Sequence, residues 1–304
     1  MISELQPLLD FFRSQRAAPP ASGHAHAHNV LQSKPIAFFS VEKLQAHLNN
    51  PLLNQDWITL YKQGARIPLE QYMLWKTVLG KRLMFMDKTR LNNELAGGAA
   101  VLLEGVDVLD ADINAFVAEV DQEMPCALSN AVAFFSQKGH EAYKGHRDTD
   151  DVLVIQISGQ KVWEIFEPQQ RRYLDNNDLS RAEMGPLAAK ITMNAGDALF
   201  VRAGVPHICQ TPAAHSLHLS FDLIDRTPNI EQITNEANKY YNKSAAIPHV
   251  NATEVTERYT QLLQSQDFAR VLAQATTAVG NDARAFRGRI GKAQAVKALD
   301  KFKS

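Results

Sequence analysis

The sequence predicts a mainly β, α+β protein: a β-sandwich or barrel formed mostly after residue 125, flanked by N-terminal helices and followed by a helical C-terminal region. Two observations carry this. Beyond Pro125, short runs rich in Val, Ile and Phe (131–135, 152–157, 162–166, 198–201 and 217–223) are separated by Gly, Pro, Asn and Asp, the signature of many short strands joined by turns. On either side of that stretch, apolar residues instead recur at steps of three and four, the helical period. With 304 residues, 45% hydrophobic and 21% charged, the chain has material for one main core and is neither a disordered chain, a collagen nor a disulfide scaffold.

Leu5, Leu8, Leu9 and Phe12 stand at helical spacing behind a Ser3 cap, and the following RAAPPASGHAHAHN has the composition of a loop. Ser40 followed by VEKLQAHL reads as a second helix, and Trp57–Tyr61 has strand composition. From Asp110, a cap, the residues Ile113, Phe116, Val117, Val120 and Met124 mark a helix that Pro125 ends. Ser158-Gly159-Gln160 reads as a hairpin turn between two strands, and Asn194-Ala195-Gly196-Asp197 as a second tight turn. After Pro228 the strand pattern ceases. Asn251-Ala-Thr-Glu254 resembles a capping box opening a helix with Val255, Tyr259, Leu262 and Leu263 along one stripe.

A formal charge of −1 provides no global field toward nucleic acid or anionic lipid. Cys126 and Cys209 form no disulfide or zinc spacing and suit a reducing, cytoplasmic setting. The N-terminal residues do not read as a secretory leader, and no apolar run approaches the ~18 residues that span a bilayer.

The histidines carry the chemistry. His146-Arg147-Asp148 precedes the strand beginning at Val152, and His207 follows the strand ending at Val201. Alternate residues of an extended segment share a side, so His146 and Asp148 can reach one ion and His207 can complete the face. Two His and one carboxylate on one face, with the remaining positions open, is the arrangement of non-haem Fe(II) oxygenases. An isolated H-x-D reads equally well as a hydrogen-bonded loop pair.

Wider motifs decide between the two. His146-x-Asp148, the apolar strand ending Gln156-x-x-Gly159, and Lys161-x-Trp163 resemble the JmjC-type, cupin-like 2-oxoglutarate oxygenases, closest to the ribosomal oxygenase branch. The resemblance continues through Gly196-Asp197 to Gly204-Val205-Pro206-His207 and through Ser216-Leu-His218-Leu-Ser220, covering roughly 97–223. Arg202, where the family usually has Pro, and a longer loop between Asn130 and His146 are the departures. The resemblance implies a double-stranded β-helix (cupin, jelly-roll) barrel, with residues 1–228 as the oxygenase domain and 229–304 as a helical region through which a homodimer would form. It makes His146, Asp148 and His207 the Fe(II) ligands and Lys161 the partner of the distal 2-oxoglutarate carboxylate, assisted by Asn130, with His218 near the co-substrate. It also implies a hydroxylase consuming O2 and decarboxylating 2-oxoglutarate to succinate.

Each assignment has a plainer counterpart: an outward-facing strand lysine for Lys161, a turn or cap residue for Asn130, a half-buried strand histidine for His218. The substrate implied is a side chain in a protein or peptide; a small-molecule hydroxylase of the same mechanism and a non-catalytic metal-binding cupin are the alternatives. His24, His26 and His28 alternate, but the sequence places no acidic or Cys residue beside them and Pro, Gly and Ser surround them, which favours a solvated loop. His140 and Tyr143 lie in the loop before His146 and border the pocket at most. Seven Lys and Arg against one acid over 284–304 read as the solvated face of a terminal helix, or as a patch for an RNA-bearing or acidic partner. Nucleic acid is the least supported partner.

Overall fold

The computed structural model describes residues 2–32, 38–78, 80–123, 126–138, 144–169, 178–225, 233, 236–237, 252–265 and 267–275. The chain divides into two compact units, 1–124 with 128–224, and 125–127 with 225–304.

In the first unit, α1 (Ile2–Ala17) buries Leu8, Leu9 and Phe12. Ser3 lies inside this helix rather than capping it. α2 (Val41–Leu48) is capped as its sequence predicts, with Ser40 Oγ accepting from the Lys43 amide. Then come β2 (Ile58–Lys62), β3 (Ala65–Arg66), the hairpin β4 (Met73–Val78) and β5 (Lys81–Met86), α3 (Lys88–Ala96), β6 (Ala100–Leu103), α4 (Val106–Leu109) and α5 (Ala111–Glu123). Asp110 caps α5 by accepting from the amides of Asp112 and Ile113. The same carboxylate lies 3.1 Å from His47 Nε2 and 3.4 Å from Lys43 Nζ, tying α2 to α5. Burial pushes its pKa up, but the bonds from His47 and the Ile113 amide and the Lys43 charge outweigh that and hold it at about 2.

The barrel strands follow: β7 (Cys126–Gln137), β8 (Asp151–Phe166), β9 (Leu187–Asn194), β10 (Ala198–Val201), β11 (His207–Gln210) and β12 (His215–Asp225). A larger antiparallel sheet runs β1-β10-β8-β12-β7-β6-β2-β3, where β1 is His24–Ala27; a smaller one pairs the far half of β8 with β9 and β11. The two face each other across Val152, Val154, Leu199 and Val201 on one side and Trp163, Ile165, Met193 and Cys209 on the other, a jelly-roll core. On the outer face of the larger sheet, Phe116 of α5 packs edge-to-face on Phe221 of β12, ring centroids 5.4 Å apart.

Three expectations change. Ser158-Gly159-Gln160 is not a hairpin turn: β8 runs unbroken through it and passes from one sheet to the other. Gly159 sits at the bend with φ +67°, where a Cβ would overlap the His215 carbonyl oxygen, so the corner needs the same residue that a turn would. Gln156 Nε2 braces it, donating to the Ser158 carbonyl and to Ser216 Oγ at 2.8 and 2.9 Å. Lys161 therefore lies on the strand that follows His146, not on a partner of it. Second, the N-terminal strands do not merely pack outside the barrel: β6, β2 and β3 extend one edge of the larger sheet and β1 pairs with β10 at the other, satisfying edge groups left open by the barrel strands. Third, and for the same reason, His24–Ala27 is a strand rather than a loop.

In the second unit, α6 (Ala252–Leu263) precedes a helix over 267–275. Leu262, Val271 and Ala237 are buried together, whereas Leu263 is exposed and departs from the expected stripe. The loop residues His140 and Tyr143 and the basic stretch 284–304 lie outside the described residues. Among the described residues, no helix is long and apolar enough to cross a membrane.

Candidate active site

His146 and His207 meet through a two-bond backbone bridge: His146 N donates to the His207 carbonyl at 3.0 Å and His207 N to that of His146 at 2.8 Å. The Gly204 amide donates to the Asp148 carbonyl, holding the H-x-D segment against the turn before β11. His146 Nε2 and His207 Nε2 each lie 3.6 Å from a different oxygen of Asp148, one at Oδ1 and the other at Oδ2. The three ligand atoms all fall within 4.8 Å of one another. The opposite ring nitrogens each meet a backbone carbonyl: His146 Nδ1 that of Lys144 at 2.9 Å and His207 Nδ1 that of Val205 at 3.1 Å. Each Nδ1 must carry the proton there, which leaves both Nε2 lone pairs toward Asp148, the orientation a metal ligand requires. Burial, and then the neighbouring His146, push the His207 pKa down to about 4, so this imidazole is neutral at physiological pH.

The three residues sit on the wall of a cavity of about 370 Å³ between the two sheets. On one side, Phe134, Trp163 and His218 form an aromatic layer, with His218 stacked on Phe134 at 4.8 Å and edge-on to Trp163 at 5.8 Å. Two residues from Phe134 on β7 and from Trp163 on β8 lie Ser136 and Lys161, and just past the end of β11 lies Thr211, all three buried. Lys161 Nζ donates to Ser136 Oγ at 2.8 Å and to Thr211 Oγ1 at 3.0 Å, and among the described residues no carboxylate pairs with it. It faces inward, and not outward as a strand lysine usually does. Trp163 Nε1 and His218 Nδ1 are buried in the same region without a hydrogen-bond partner among the described residues. Burial, and then the Lys161 charge, push the His218 pKa well down, so this ring is neutral. A buried ammonium and unsatisfied nitrogens about one aromatic layer are costly unless an anion or acceptor meets them, and a dicarboxylate supplies both.

Asn130 does not share this end. Its Oδ1 accepts from the Gly105 amide at 3.2 Å and its Nδ2 donates to Glu104 Oε2 at 3.1 Å. It stands six residues before Ser136 on β7, about 20 Å along an extended strand at ~3.4 Å per residue. Asn130 and Lys161 therefore cannot hold one carboxylate, and the expectation that they do is corrected. Instead, Asn130, Glu104 and Asp222 line the cavity together. Burial, then the charges of Asp148, Asp150 and Glu104, raise the Asp222 pKa to about 6. Sequence reading did not single out Glu104 or Asp222. The alternation His218-x-Ser220-x-Asp222 on β12, all three on the cavity wall, was the available signal for Asp222.

Residues 110–233 match the JmjC domain family. The "Bifunctional lysine-specific demethylase and histidyl-hydroxylase NO66" of Dictyostelium discoideum is 23% identical over 128 residues, covering 40% of this chain and 25% of that protein. "Ribosomal oxygenase 1" of Gallus gallus is 26% identical over 110 residues, covering 34% of this chain and 18% of its own length. The chain thus matches a quarter or less of these curated relatives. Among solved structures, Escherichia coli ycfD superposes with a TM-score of 0.56 at 14% identity, covering 87% of this chain and 71% of that one. The same Escherichia coli protein in complex with cobalt and 2-oxoglutarate gives 0.53 at 14% identity over 83% and 66%. The shared architecture is the jelly-roll, with its flanking elements.

Proposed function

We propose that this chain, which carries a JmjC domain across residues 110–233, is an Fe(II)- and 2-oxoglutarate-dependent oxygenase that hydroxylates a side chain in a protein or peptide. The observation that carries the reading is the convergence of His146 Nε2, His207 Nε2 and the Asp148 carboxylate within 4.8 Å, with both Nδ1 protons tied to backbone carbonyls. When bound, Fe(II) with 2-oxoglutarate supplies the redox chemistry: O2 is consumed, 2-oxoglutarate becomes succinate and CO2, and a substrate C–H becomes C–OH.

The chain's own residues bind, orient and exclude water. His146, Asp148 and His207 would hold the metal. Lys161 takes the distal carboxylate of 2-oxoglutarate, its ammonium held in place by Ser136 and Thr211. His218, neutral and stacked on Phe134, lies against that co-substrate and offers its unsatisfied Nδ1. The aromatic layer of Phe134, Trp163 and His218 would shield a bound co-substrate from bulk water. Glu104, held by Asn130, and Asp222 form an acidic part of the wall suited to a substrate side chain that is cationic or rich in N–H donors. The relative from Dictyostelium discoideum is by name a lysine-specific demethylase and histidyl-hydroxylase, which supports an amino-acid side chain in a protein or peptide over a free metabolite.

Anaerobic reconstitution with Fe(II), with and without 2-oxoglutarate, tests the reading. A visible metal-to-ligand charge-transfer band on adding 2-oxoglutarate, followed by succinate on admitting O2, is expected. Bound metal with no band and no succinate would overturn it in favour of a metal-binding cupin without turnover.

A further inference from the structure

A second group of ligand-competent side chains lies outside the barrel cavity. His26 and His28 alternate along the edge strand β1 and its continuation, so their rings share one side. The register of β1 against β10 sets Ala27 opposite Ala198 and carries both rings to the turn joining β9 to β10, where Asp197 stands. Sequence reading left these histidines without an acidic companion because the companion is about 170 residues away and arrives only through strand pairing.

From these positions we infer that His26, His28 and Asp197 form a second metal site, taking a borderline divalent transition metal such as Zn2+. Asp197 Oδ2 lies 3.4 Å from His26 Nε2 and 3.5 Å from His28 Nδ1, and the three ligand atoms lie within 4.8 Å of one another. Donors around a tetrahedral ion bonded at about 2.0–2.1 Å stand roughly 3.3–3.4 Å apart, so the side chains already lie close to the required spacing. Imidazole with carboxylate is the donor set such ions prefer. The carboxylate is preorganised as well: it is almost wholly buried, Oδ1 accepts from the Asn29 amide and Oδ2 from the Asn194 amide, both at 2.9 Å. His28 is exposed, leaving a side of the site open to water ligands. A single dication held by both rings and this carboxylate would fasten the N-terminal strand to the turn between β9 and β10.

Zn2+ bound by the full-length, chelator-stripped protein measures the site directly, by calorimetry and by elemental analysis after desalting. His26→Ala/His28→Ala should bind one Zn2+ fewer per chain than the wild type, and the same loss should appear in an Asp148→Ala background, where the barrel site is disabled. His28→Ala alone, at an exposed position that cannot disturb packing, should weaken the lost equivalent at least tenfold. Unchanged stoichiometry after removal of both histidines, with unaltered circular dichroism, would overturn the inference. Because the comparison is repeated without Asp148, its failure and the failure of the oxygenase reading are separate results.

Discussion

Replacing Lys161 by Met separates its two roles. In the wild type the ammonium is fully buried, bonded to two hydroxyls and, among the described residues, to no carboxylate. Burying an unpaired charge costs several kcal/mol, and two hydroxyl acceptors return only part of that. Met fills nearly the same volume without the charge, and Ser136 and Thr211 keep their mutual bond of 2.7 Å. The variant without co-substrate should therefore unfold at the same temperature as the wild type or above it. The co-substrate should suffer instead. A charge-assisted hydrogen bond to its distal carboxylate is worth about 1.5–3 kcal/mol, so affinity for 2-oxoglutarate should fall about 10- to 150-fold with Fe(II) affinity unchanged. Anaerobic titration of the charge-transfer band reads the first, and thermal unfolding of the metal-free protein reads the stability. A lowered Tm with undiminished 2-oxoglutarate affinity would refute the reasoning and make Lys161 a structural tie between Ser136 and Thr211.

Three further outcomes follow from the structure. In metal-free protein Asp222, raised to about 6 from an ordinary 3.8, loses stability as pH climbs between those values, because the folded state holds its proton more tightly than the unfolded one. Asp222→Asn should flatten that fall and be more stable by about 2–3 kcal/mol at pH 7, read by urea unfolding at pH 4 and 7; equal slopes would count against it. Asp110, held at about 2, works in the opposite sense: its contribution is complete above about 3.8 and disappears as pH drops through about 2. Asp110→Asn keeps a helix cap but should cost about 2 kcal/mol at pH 7, with the gap closing below pH 3; a gap that persists at pH 2 would mean the charge is not the cause. Gly159→Ala should destabilise by at least about 2 kcal/mol, whereas Gly80→Ala, at φ +77° with open space around it, should cost only about 1. Equal losses would show that overlap with the His215 carbonyl is relieved.

What could be read from the sequence was what local chemistry determines. Ser40 and Asp110 announce their helices because a cap and its amides lie within three residues. The H-x-D pair could be read because His146 and Asp148 are two residues apart in one segment, and His207 because its turn carries a spaced motif. The strand runs after residue 125 were legible for the same reason, since alternation and turn residues act over a few positions.

What could not be read depended on register between distant strands. A Ser-Gly-Gln triplet has the same composition whether β8 turns back or bends into a second sheet; the partners decide, with β12 opposite Gly159 on one side and β9 opposite Gln160 on the other. Asn130 and Lys161 looked like neighbours because both belong to strands of one barrel. Their separation appears only when Lys161 is found against Ser136 and Asn130 against Glu104, six residues apart along β7. The same physics hid the companion of His26 and His28, since an edge strand has no partner written in its own residues. Register thus converts one unremarkable alternation, H-A-H-A-H, into ligands aimed at a buried carboxylate, and converts the alternation in β12 into a wall that changes from aromatic at His218 to acidic at Asp222. A one-residue slip of β12 would turn both residues out of the cavity together. On the proposed reading, co-substrate binding at His218 and substrate charge preference at Asp222 would be set by a single structural choice, and a strand-shifting insertion in β12 should abolish both rather than either alone.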